Sequence, residues 1–111
     1  MKLSELQKKI HQQNIEMGWW KNPREIGTLL CLVHSEISEA MEGDRKCLMD
    51  DHLPNREMME VELADAVIRI LDIAEFKGYD IESAIIEKVA YNRNRADHQL
   101  SVRQLPNGKK Y

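Results

Sequence analysis

Several familiar features are missing from this 111-residue chain. No uninterrupted apolar run approaches the roughly 18–20 residues that span a bilayer. The N-terminus also lacks the apolar middle of a signal peptide, so a cytoplasmic protein with no membrane partner is expected. Basic residues are not in surplus: Lys+Arg 16 against Asp+Glu 19 leaves a net charge of −3, which argues against a nucleic-acid polymer as partner. The two cysteines, Cys31 and Cys47, have no paired metal-ligand spacing and build no disulfide framework. There is no G-x-x-x-x-G-K-[ST] phosphate loop and no E-x-x-H pair of the kind found in di-iron helical bundles. Internal repeats, low-complexity segments and strand-like alternation are absent too.

What is there reads as helix. Apolar residues make up 42% and charged residues 32%, an ordinary composition for one folded domain spanning residues 1–111. Ser4 can cap and Gly18 can stop a helix over about 4–17. Asn22-Pro23 can open a second helix over about 23–42, and Pro54 closes the polar loop after it. A third helix over about 55–77 ends before Gly78, and a fourth starts near Asp80 and runs over about 80–97. Residues 98–111, with Pro106-Asn107-Gly108, read as a tail with turn chemistry. The fold class predicted is all-α.

Charge placement is the informative feature. On a wheel of about 100° per residue, Glu36 falls inside the apolar arc of the second helix and Glu39 at its edge. The third helix is apolar nearly all round. Its polar residues Glu62, Asp65, Arg69 and Asp72 fill a stripe about 80° wide. So much apolar surface in so short a chain predicts a partner subunit completing the core, as a dimer or tetramer. Arg69 is expected to pair within its own helix with Asp65 or Asp72. On the fourth helix, Lys88, Asn92 and Arg95 share one face. Charges aimed from apolar surfaces must meet each other, a ligand or metal. Carboxylates spaced i, i+3 on two antiparallel helices would converge, and hard oxygens suit Mg²⁺, with Mn²⁺ a substitute. Lys88 and Arg95 would complement phosphate oxygens, and Asn92 could fix an oxygen or water. Trp19 and Trp20 read as packing or as a stacking wall for a base, with His11 and Asn14 near enough to meet its edge.

Glu36-Ile37-Ser38-Glu39, 22 intervening residues, then Glu62-Leu63-Ala64-Asp65 resembles the E-x-x-E … E-x-x-D motif of the MazG-like nucleoside triphosphate pyrophosphohydrolases, all-α enzymes. The run Leu63–Asp72 is similar to that family's third helix. Glu87–Arg95 is similar to its K-x-x-x-N helix, and the Gly108-Lys109-Lys110-Tyr111 ending is also familiar. The resemblance implies a four-helix bundle completed by dimerisation and Mg²⁺-dependent hydrolysis of (deoxy)nucleoside triphosphates to monophosphate and pyrophosphate. Nucleotide-pool control or house-cleaning would be its role. Glu36, Glu39, Glu62 and Asp65 match the metal-binding acids, Lys88 and Asn92 the substrate-binding positions. Arg95 joins them by its shared face. Glu39 is the expected base, with Glu62 its catalytic neighbour. Many relatives have a further acid where this chain has Ser35. The alternatives are a dUTP- or phosphoribosyl-ATP-type pyrophosphohydrolase of the same superfamily, and a non-catalytic helical module that binds nucleotide or protein.

Overall fold

A computed structural model describes residues 1–95 and 99–111. Among the described residues the regular structure is helical: α1 (Leu3–Glu16), α2 (Ile26–Lys46), α3 (Met58–Phe76), α4 (Ile81–Asn94) and the short α5 (Leu100–Arg103). The all-α expectation holds. No described helix is long and apolar enough to cross a membrane. Contacts divide the chain into two compact units, residues 1–79 and 80–111.

In the first unit α3 is the central element, packing against both α1 and α2. Leu29 and Ala40 of α2 and Ala66, Leu71 and Ala74 of α3 are its buried apolar residues. The small side chains let the helices approach closely. At Gly43 the approach is closest, since a Cβ there would lie 2.9 Å from the Met58 Cβ and 3.1 Å from the Met59 nitrogen. The end of α2 thus lies against the start of α3, and the pair runs antiparallel. Most of the remaining apolar residues of α3, including Leu63, Val67, Ile68 and Ile70, are exposed. Its polar stripe is the side turned inward.

Local chemistry shifts several expected boundaries. Ser4 lies inside α1, whose N-cap is Lys2. The second helix begins at Ile26, not at Pro23, because residues 18–24 seat Trp20 against α3 and Glu25 is still extended. It also runs past Gly43 to Lys46, since Gly43 serves the helix crossing instead of stopping the helix. Cys47 takes the left-handed cap at φ 52°. The third helix starts at Met58 because the preceding residues are held back on the loop: Arg56 N–H donates to Leu53 O, and Met49 bridges to Glu57. Gly18 and Gly78 follow α1 and α3 with φ of 89° and 72°, the conformation that suits glycine at a helix end.

In the second unit the Asp80 carboxylate caps α4, accepting the Ser83 N–H at 3.1 Å. This helix ends at Asn94, and the expected end at Asp97 lies outside the described residues. The tail is not wholly irregular. It forms α5, and Arg103 donates from its guanidinium to the carbonyls of Lys109 and Lys110, tying the chain end back.

Candidate functional site

Two helices place the acids. The antiparallel pairing turns the polar stripe of α3 onto the face of α2 that carries Glu36. Carboxylate oxygens of Glu36, Glu62 and Asp65 consequently lie within 4.8 Å of one another. Glu39, one turn along α2, is exposed at the rim of this group, and its charge still acts on Glu62.

Three carboxylates at this separation cannot all remain charged in a partly desolvated place. Burial pushes the Glu62 carboxyl up to about 8, and hydrogen bonding to Glu36 and Glu39 together with their charges adds to the rise. Asp65 is also raised, by burial first and then by the Glu36 charge. Glu36 goes the other way. Burial alone would raise it, but hydrogen bonds from Glu62 and Arg69 and the Arg69 charge outweigh that and hold it below the usual glutamate range. Glu62 Oε2 has no exposure to solvent and no N–H or protein O–H partner. A carboxylate oxygen buried in this way calls for a proton or a cation.

Arg69 departs from the expected pairing within its helix. Its Nε donates to Glu36 Oε1 at 2.9 Å, so it crosses from α3 to α2. Asp72, the other supposed partner, is engaged from the opposite side. His11 Nδ1–H donates to its Oδ1 at 2.6 Å, and Asn14 donates to Oδ2 at 3.0 Å. Trp20 Nε1–H reaches both oxygens, at 3.0 and 3.2 Å. This buried hub fastens α1 and the tryptophan corner to α3. Trp20 stacks on Phe76 at 4.4 Å between centroids, inclined by 17°. Gln7, also buried, adds a second tie, donating to Glu75 Oε1 at 3.0 Å and to Tyr79 O at 2.8 Å.

A cavity of about 330 Å³ connects these parts. Glu36, Asp65 and Arg69 line it together with Asn14, Trp19, Arg24 and Asp72. Four residues predicted from position as base contacts therefore divide. Asn14 and Trp19 line the cavity, whereas His11 and Trp20 support it from behind through Asp72 and Phe76.

The predicted phosphate residues lie in the second unit. Lys88 sits over the Tyr91 ring at 4.5 Å and Arg95 at 6.0 Å, so both cations contact one aromatic ring. Arg95 lies just past the end of α4, as its extended cap residue, and contacts the same ring as Lys88. Asn92 Oδ1 is inaccessible and without a hydrogen-bond partner.

Two residues of the first unit escaped sequence reading. Asp50 is buried in the α2–α3 loop, where Oδ2 accepts the N–H groups of His52 and Leu53 at 2.9 and 2.8 Å. Its charge contributes to the rise of Asp65. The short polar side chain two and three residues before those amides was the available signal. Arg24 carried none, because nothing local marks it as a cavity residue. Comparison with protein-family models, curated proteins and solved structures found no match to this chain.

Proposed function

We propose that this protein is a MazG-like, Mg²⁺-dependent nucleoside triphosphate pyrophosphohydrolase, working as a dimer or tetramer in nucleotide-pool control. The observation that carries the reading is the convergence of Glu36, Glu62 and Asp65 beside a cavity lined by Asn14 and Trp19. The donor set fits a hard divalent ion. All three groups offer carboxylate oxygens, and Glu62 Oε2 is the buried oxygen that lacks a partner. Glu36, Glu62 and Asp65 would hold the ion, with Glu39 completing the set. When bound, it would acidify a water molecule and screen the phosphates from the acids.

The chain's own groups supply the rest. Arg69 fixes the Glu36 carboxylate through Oε1, leaving its other oxygen for the ion. Glu39, at the exposed rim, takes the proton of the attacking water. The water oxygen forms a bond to the α-phosphorus as the α–β anhydride bond breaks, and pyrophosphate leaves with that electron pair. Lys88, Asn92 and Arg95 are the proposed phosphate ligands. Their assignment rests on the resemblance of Glu87–Arg95 to the family's K-x-x-x-N helix.

The test is product identification after incubation with each common NTP and dNTP, and dUTP, in Mg²⁺. Monophosphate with pyrophosphate is expected, lost in Glu62→Gln. Diphosphate with orthophosphate would place the attack on a different phosphorus. No turnover with Mg²⁺ or Mn²⁺ would favour a nucleotide-binding module instead.

A further inference from the structure

Arg24 is the residue that the proposed reaction leaves without a task. It lines the cavity, and its guanidinium carbon lies 5.0 Å from the centroid of the Trp20 ring and 6.0 Å from that of Trp19. Among the described residues it makes no hydrogen bond or ion pair, so stacking engages its face while its five edge N–H donors have no protein acceptor.

Its platform does not move easily. Trp20 is backed by Phe76, bounded by the His11 ring at 5.2 Å and held by its indole N–H on Asp72. The nearby acid cannot serve Arg24 or a ligand amine. A carboxylate has about four acceptor positions, and Asp72 receives four contacts: His11 and Trp20 on one oxygen, Asn14 and Trp20 on the other. Arg24 therefore brings donors to this part of the cavity, and the acid beside it has no acceptor to spare.

The distance suits a base. Asp65, in the acidic group, and Asp72, beside Trp20, are seven residues apart on α3, roughly 10 Å at 1.5 Å per residue. That is on the order of one nucleoside, so phosphates at the acids would leave the base near Arg24.

We propose that Arg24 reads the base edge and selects nucleotides with keto bases. Guanine presents O6 and N7, and thymine or uracil presents O4, all acceptors for a guanidinium. Adenine keeps N7 but presents its N6 amine where guanine has O6, and cytosine presents its N4 amine, in each case a donor facing a donor. The substrate class is thus guanine, hypoxanthine, uracil and thymine nucleotides. This inference rests on the nucleotide reading for its ligand, but the preference is its own.

Uncharged nucleosides test it without metal or turnover. Trp19 and Trp20 are the two tryptophans of the chain, so their indole N–H resonances report on the cavity in a ¹⁵N-labelled sample. Guanosine and inosine, whose O6 and N7 take two donors, should bind at least about tenfold more tightly than adenosine and cytidine, and uridine and thymidine, with O4 alone, should exceed that pair by a smaller factor. Arg24→Leu should bring that ratio close to one. Arg24→Lys, which keeps a cation and the fold, should retain part of it. Equal binding of the two sets by the wild type, or an unchanged ratio in Arg24→Leu, overturns the assignment and leaves the nucleotide reading standing. Absence of binding by every nucleoside, together with no turnover of any triphosphate, overturns both.

Discussion

Replacing Glu62 by Gln should stabilise the metal-free protein, and only at higher pH. The folded chain holds the Glu62 proton up to about pH 8, whereas the unfolded chain releases it near its ordinary value of 4.5. Between those values the native state binds more protons than the unfolded state, so stability is complete below about pH 4.5 and declines as pH rises through 8. Asp65, also raised, contributes with the same sign. Glu36, held low, has the opposite sign: its stabilisation is present above the ordinary glutamate range and is lost as pH falls through its lowered value. At about 1.36 kcal/mol per pH unit, the rise of Glu62 sets a ceiling of about 5 kcal/mol. Glu62 and Asp65 are only half-buried and Glu39 is exposed, so solvent screens the group and about 2 kcal/mol is the effective size. Glutamine keeps the shape and removes the charge. In chelator at pH 8.5, Glu62→Gln should melt about 8 °C above the wild type, and at pH 5 the two should nearly coincide. Thermal melts followed by circular dichroism measure this directly. A parallel decline of both proteins with pH, or a Gln variant less stable at pH 8.5, would refute the account of crowded carboxylates.

Two further substitutions probe the frame around the cavity. Asp72→Ala removes the shared acceptor of His11, Asn14 and Trp20 and should cost about 3 kcal/mol or more in urea denaturation. A loss below about 1 kcal/mol would mean that the hub does not fasten α1. Gly43→Ala sets two effects against each other. Alanine favours a helix over glycine by about 1 kcal/mol, but its Cβ would meet Met58 at 2.9 Å, and overpacking costs about 1–3 kcal/mol. Net destabilisation is expected, and a raised melting temperature would show that α2 and α3 can separate there.

Periodicity and punctuation were enough to establish the all-α class and the order of the four main helices, because those signals are local. Glycine at 18 and 78 marked helix ends for the same reason: a positive φ is a property of one residue and its immediate neighbours. The inward placement of Glu36 and of the Glu62–Asp72 stripe was also legible, since a helical wheel depends only on spacing. Partners were not. Arg69 has acids at i−4 and i+3, yet it bonds to Glu36, because the antiparallel crossing brings α2 closer to its guanidinium than spacing along one helix can reveal. Asp72 has the same i+3 relation to Arg69 and instead gathers three donors from α1 and the tryptophan corner. Helix boundaries failed where tertiary contacts overruled local preference: at Pro23, passed over to seat Trp20, and at Gly43, retained in the helix for a close crossing. Sequence thus determined which residues face inward, through covalent order and helical pitch. Only the packing of helices distant in sequence decided which charges meet, and it alone put Arg24 into the cavity.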